Sequence, residues 1–168
     1  MAILPVVKFP HKVLKTKTAK VDLITAEDKK LVRDMIDTMY AENGVGLAAN
    51  QVGVSKQIFV ASPDQVLGKE LVFFNPVITK KEGSLKEFEG CLSVPDLYEP
   101  VKRFKRVWLR AMTLEGKTVE VKAEGLLARI FQHEVDHLNG FLFIDRLGFV
   151  KGSFARKKLT RKLTPKKA

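Results

Sequence analysis

The stretch Gln132-His133-Glu134-Val135-Asp136-His137-Leu138 constrains this chain more than any other. Two histidines four residues apart lie on one face of a helix, one turn apart. At that spacing both imidazoles reach a single metal ion, and Glu134, beside the first of them, faces a water in an open coordination position. The approach to the motif supports the helix. Leu126, Ile130, His133 and His137 follow an i, i+4, i+7, i+11 stripe, so the histidines continue a core-facing apolar row. Leu127, Phe131 and Leu138 widen the row, and Asn139-Gly140 offers a C-terminal cap. The alternative is a pair of core histidines satisfied by backbone groups. Buried imidazoles need polar partners in either case, because an unpaired buried polar group costs roughly 1–3 kcal/mol.

A metal ion needs a third protein ligand, and the sequence is informative here by what it lacks. Metalloproteases with this motif often take a third histidine six residues on, after a glycine. Gly140 is in place, but position 143 is Phe143. No Glu follows Glu134, and Asp145 is the only acid after Asp136. His11, the one remaining histidine, sits beside Pro10 in an N-terminal arm and reads as a surface or capping residue. The single cysteine, Cys91, is then the leading third ligand, its alternative being a small buried hydrophobe. A Cys-His-His set with an open fourth position is a catalytic arrangement rather than a closed structural one.

The 168 residues suffice for one domain with a real core. No apolar run approaches the ~20 residues that cross a bilayer, and Met1–Lys8 lacks the layout of a signal peptide. One cysteine makes no internal disulfide, which fits a cytoplasmic location. The net charge of +11 is uneven. Residues 1–145 carry 21 Lys and Arg against all 19 acids, whereas residues 146–168 carry nine Lys and Arg and no acid. The body is nearly neutral and the tail is a basic arm.

Along the chain, Thr25 starts a helix with Asp28 at capping-box spacing, and Leu31, Val32, Met35, Ile36 and Met39 form its apolar stripe up to Asn43-Gly44. Gly44-Val-Gly-Leu-Ala-Ala-Asn-Gln51 lacks the Lys-Ser/Thr of a phosphate loop, and its small residues predict close approach of another backbone. Gln51 is a solvated loop residue or, alternatively, an amide donor for an oxyanion. Gln57–Ala61, Leu71–Phe74 and Val77–Lys80 read as strands broken by Ser62-Pro63, Asn75-Pro76 and Glu82-Gly83. Val107–Met112 and Thr118–Lys122 read as a hairpin, and Pro95 interrupts regular pairing after Glu89-Gly-Cys-Leu-Ser93. In the tail, Phe154, Lys158, Leu159 and Leu163 allow a helix with a narrow apolar side, fraying before Pro165.

Gly44-Val-Gly-Leu-Ala-Ala-Asn-Gln51, Glu89-Gly-Cys-Leu-Ser93 and His133-Glu-Val-Asp-His137, in this order and at these separations, resemble the three signature motifs of the peptide deformylase family. The resemblance covers essentially the whole chain. It implies an α+β fold, with antiparallel sheets packed around a central metal-binding helix, an N-terminal helix and a C-terminal helix. The domain organisation it suggests is a single catalytic domain over residues 1–148 and a basic helical extension over 149–168. The implied reaction is hydrolytic removal of the N-formyl group from the initiator methionine of new polypeptides, releasing formate.

By the same resemblance Cys91, His133 and His137 are the metal ligands, and the ion is Fe2+, replaceable by Zn2+, Ni2+ or Co2+. Glu134 is the general base, while Gln51 and the backbone N–H of Leu92 meet the formyl oxygen. Val45, Gly46 and Gly90 hold the peptide as an added strand, the two glycines leaving room for its backbone. Val45, Leu126, Arg129 and Ile130 line the methionine pocket. Arg129 stands where many members carry an apolar residue, and is expected to fold its stem over the pocket with its charge in water. Asp136 orients a neighbour such as Arg103 or faces solvent. The expected partners are N-formylmethionyl peptides and, through the basic tail, the ribosome, since some bacterial deformylases dock there by a C-terminal helix. No membrane, no sequence-specific nucleic-acid contact and a monomeric state complete the expectation. The rival readings are an endopeptidase and a noncatalytic basic module bound to RNA.

Overall fold

Thr25 closes a capping box with Asp28. Its hydroxyl takes the Asp28 N–H at 3.2 Å, and the Asp28 carboxylate takes the Thr25 N–H at 3.0 Å. From this cap runs α1, Ala26–Ala41. The computed structural model describes residues 2–163 of the chain. One face of α1 buries Val32, Met35 and Met39 against Leu47, Ile58, Val60 and Phe74. Asn43, at φ 54, then turns the chain into the short β1, Gly46–Ala48.

β1 is the edge of a five-stranded antiparallel sheet. Its other strands are β2 (Ile58–Ala61), β3 (Leu71–Glu82), β6 (Arg106–Met112) and β7 (Thr118–Glu124), in the order β1-β2-β3-β6-β7. β6 and β7 form the expected hairpin. The sequence reading split β3 at Asn75-Pro76, whereas the strand runs through with a register shift between Phe74 and Val77. A bulge absorbs the proline, and the Asn75 side chain pairs with both backbone groups of Val21, at 2.9 and 2.7 Å.

β4 (Leu85–Cys91) and β5 (Val94–Arg103) form a separate two-stranded sheet. The interruption expected at Pro95 is therefore the tip of a hairpin, where Cys91 stands opposite Val94.

Across the five-stranded sheet lies α2, Gly125–Leu138. Its Phe131 ring packs edge-on against Phe59 and Phe73, with centroids 5.8 and 5.3 Å away. Ala128, Ile130 and Leu138 extend this core. Leu126, expected in the buried stripe, is 50% exposed because it opens the first turn of the helix at the mouth of a cavity. Asn139 and Gly140 (φ 78) end the helix as expected; a Cβ on Gly140 would lie 2.8 Å from the Lys15 carbonyl carbon. The C-terminal helix α3, Phe149–Leu163, buries Ala155 and Leu159 against Leu97, Val101, Phe143 and Ile144. Phe154, placed on the apolar side from sequence, is 70% exposed. The inner face is instead the i, i+3, i+7 row of Gly152, Ala155 and Leu159, since a Cβ on Gly152 would stand only 2.9 Å from the Ile144 carbonyl. Pro165, the expected fraying point, lies outside the described residues. Among the described residues no helix is long and apolar enough to cross a membrane.

Candidate metal centre and active site

His133 and His137 leave the same face of α2 and meet at Nε2, 3.2 Å apart. Cys91, at the end of β4, brings its Sγ to 3.2 Å from the His137 Nε2. The three donor atoms all lie within 4.8 Å of one another, and no other such cluster occurs among the described residues. His11 stays apart, exposed, accepting the Val13 N–H at the start of a 3-10 turn.

The donor chemistry fits a divalent transition ion. One soft sulfur and two imidazole nitrogens converge on a single point, a set suited to zinc or iron and not to calcium or magnesium. Burial opposes charge on His133, but its bonds to Cys91 and Glu89 outweigh burial and raise its pKa well above the usual range. Burial, with positive His133 beside it, pushes His137 well below. The Nδ1 of His137 is buried without a hydrogen-bond partner.

Behind His133 stands Glu89, which the sequence reading did not single out. Its Oε2 lies 3.2 Å from the His133 Nδ1, leaving Nε2 to face the centre. Both Glu89 oxygens also accept from Arg103, each at 2.9 Å. Burial alone would raise the Glu89 pKa, yet His133 and Arg103 hold it at about 2. Arg103 reaches on to Asp136 at 2.5 Å, and Arg146 joins the same carboxylate. Asp136 therefore orients Arg103 and does not face open solvent. The signal for Glu89 was its place two residues before Cys91, but its partners are some 14 to 44 residues away in sequence.

Glu134 is 3% exposed and its Oε2 has no partner. Burial lifts its pKa to about 7. Gly46 explains how the carboxylate fits: a Cβ there would collide with Glu134 Oε1 and stand 2.9 Å from Ile130 Cγ2. Within the chain itself, the neighbour that needs the room is a side chain. At Gly90 the neighbour is the Tyr98 ring, whose Cδ1 lies 2.8 Å from where a Cβ would be.

Gln51 is 2% exposed, which removes the solvated-loop alternative. Its Oε1 accepts the Ala48 N–H at 2.8 Å, and its Nε2 is directed at Ser93 Oγ (3.3 Å) and Cys91 Sγ (3.6 Å). A cavity of about 490 Å³ opens above these groups. Val45, Gly46, Gln51, Gly90, Cys91, Leu92, Leu126, Arg129, Ile130, His133 and Glu134 all line it, and His137 is buried. Arg129 departs from expectation. Its charge is buried, bonded to Glu89 Oε1 at 2.6 Å and Glu87 Oε2 at 3.2 Å, because two carboxylates on β4 offer more than water at the rim.

The family described as Polypeptide deformylase matches residues 3–152. A peptide deformylase of Symbiobacterium thermophilum is 50% identical over 146 residues, 87% of this chain and 67% of the relative. One from Thermodesulfovibrio yellowstonii is 44% identical over 164 residues, 96% of this chain and 99% of the relative. Among solved structures, a peptide deformylase from Legionella pneumophila superposes with a TM-score of 0.90 at 39% identity, covering 99% of this chain and 100% of that one.

Proposed function

The chain belongs to the polypeptide deformylase family, and from that premise we infer that it hydrolyses the N-formyl amide of formylmethionyl peptides, releasing formate and a free amine. The observation that carries this reading is the convergence of Cys91, His133 and His137 beside a buried, unpaired Glu134 at the floor of one cavity. Cys91, His133 and His137 would hold a divalent ion, best matched by Fe2+, with Zn2+, Ni2+ or Co2+ able to replace it. Such an ion, when bound, supplies Lewis acidity toward the formyl oxygen and the attacking water.

The chain's own groups do the rest. Glu134 accepts the proton of the attacking water and returns it to the departing amine nitrogen, a role that suits a buried carboxylate with an unpaired oxygen. The Gln51 Nε2, fixed by the Ala48 bond at its other end, and the Leu92 N–H donate to the developing oxyanion. Val45, Gly46 and Gly90 present backbone groups to the peptide as an added strand. Leu126, Ile130 and the stem of Arg129 wall the methionine side chain. Formate release from a formyl-Met-Ala-Ser peptide, assayed beside an internally blocked peptide, tests the reading. Cleavage of the blocked peptide alone would favour the endopeptidase.

Replacement of Cys91 by Ala removes the only sulfur donor. Metal content after anaerobic purification should fall well below one ion per chain, and parent-like content would sink the ligand assignment.

We treat residues 1–148 as the catalytic domain of a cytoplasmic monomer and 149–168 as an extension that docks on the ribosome. Lys157, Lys158 and Arg161 are exposed on α3, while Ala155 and Leu159 hold it to the body. Contacts with ribosomal phosphates release counterions, so binding falls steeply with salt. The triple change K157E/K158E/R161E keeps the buried face. It should spare hydrolysis of short formyl peptides and abolish co-sedimentation with ribosomes; equal pelleting at equal salt would exclude α3 as the docking element.

A further inference from the structure

The metal donors ride on two elements that share no apolar core. Cys91 belongs to the β4–β5 sheet, which has no strand bond to the five-stranded sheet. The buried residues of that hairpin, Val94, Leu97 and Val101, pack with Phe143, Ile144 and α3. No residue of α2 enters that cluster; the apolar side of α2 packs on the five-stranded sheet. The ring contact between α2 and that cluster is His133 stacked on Phe143, with centroids 6.3 Å apart, so the hairpin that carries the Cys91 sulfur is held to α2 mainly by polar ties.

Besides the Cys91–His137 contact between the donors themselves, four side chains make those ties. Gln132 pairs with both backbone groups of Phe104, beyond the end of β5. Arg103 crosses to Asp136, and Glu89 crosses to the ligand His133 itself. Arg129 is the one of these on α2 whose bonds reach both strands, whereas Arg103, itself on β5, bonds Glu89 on β4 and Asp136 on α2. The Arg129 Nη1 donates to Glu89 Oε1 at 2.6 Å, to the Glu87 carbonyl at 3.4 Å and to the Val101 carbonyl at 3.4 Å, while its Nε donates to Glu87 Oε2 at 3.2 Å. At 7% exposure it makes these bonds largely out of water, where they hold geometry best. It also sits four residues before His133, directly beneath it on the helix face.

We propose that Arg129 is a positioning residue of the metal centre: it clamps the Cys91-bearing hairpin to the histidine-bearing helix and so fixes the separation of sulfur and imidazole donors. With Arg129 gone, Gln132, Arg103 and the Glu89–His133 bond must hold the hairpin without the tie from α2 to Glu87, Glu89 and Val101, and the donor set loosens. The proposal rests on the metal-centre reading above.

The test loads the full-length parent, Arg129→Met and Arg129→Lys with Co2+, records the visible absorption spectrum, and follows release to an excess of chelator. Arg129→Met should release cobalt roughly 10–100-fold faster than the parent, the range for a lost group that supports a ligand, with a shifted ligand-field spectrum. Arg129→Lys keeps the charge but not the fork that spans two strands, and should fall between. A lowered melting temperature with parent-like release and spectrum would overturn the proposal, as would parent-like behaviour of Arg129→Lys if Arg129→Met does not fold. A parent that holds no cobalt would bring down the metal-centre reading itself, and this proposal with it.

Discussion

Glu134→Ala should lose roughly 10²–10⁴ of turnover on formyl-Met peptides, the range for a deleted general base, and keep its metal. The carboxylate is not one of the converging donors, and it makes no hydrogen bond through Oε2 whose loss would disturb the fold. Near-parent turnover would remove Glu134 from the mechanism. The pH dependence follows from its burial. In the metal-free chain Glu134 is lifted from 4.5 to about 7, so the fold favours the neutral acid. That preference contributes fully below pH 4.5 and is lost as pH rises through about 7. The metal-free parent should therefore lose stability across this window, and Glu134→Gln should flatten that part of the curve. A bound cation favours the ionised form, so in the loaded enzyme the acid limb of kcat/KM should lie below pH 7.

Glu89→Gln should be the most damaging change away from the reacting groups. The amide keeps the shape of the side chain but leaves Arg103, Arg129 and His133 around a neutral group in a buried site. Breaking a buried ion pair from one side typically costs about 3–5 kcal/mol, or roughly 6–20 °C in melting temperature for a chain of this size. Glu89 is held at about 2, so its contribution is present above 4.5 and disappears as pH falls toward 2. The gap between parent and variant should accordingly close in acid. A loss below about 1 kcal/mol at neutral pH would show that Asp136 and Glu87 suffice to neutralise the two arginines.

Local patterns made α1, α2 and the β6–β7 hairpin legible. Thr25 and Asp28 sit at capping distance, and Phe131, Leu138 and the two histidines keep helical spacing. The β4–β5 hairpin was hidden because Lys86-Glu87-Phe88-Glu89 faces solvent for much of its length and two prolines, Pro95 and Pro100, stand in its second strand. Asn75-Pro76 reads as a break because the strand passes it only through a bulge, with Asn75 at φ 50 and its side chain bonded to Val21, far upstream. At the site the residue types announced themselves and their partners did not. Cys91 and the histidines are legible as donors wherever they lie. That Arg129 gives its charge to Glu87 and Glu89, and that Tyr98 and Glu134 fill the space left by two glycines, depends on how the hairpin folds back onto the helix.

β1 is an open edge only three residues long. A peptide added to this edge, as proposed above, would span at most about 10 Å of strand, and the Ala48 N–H at its far end is already taken by Gln51. Main-chain recognition there would be a short ruler. On that reading it would measure the formylated terminus and the first residues behind it and stay indifferent to the rest of the polypeptide, as befits an enzyme whose substrates share only their first residue.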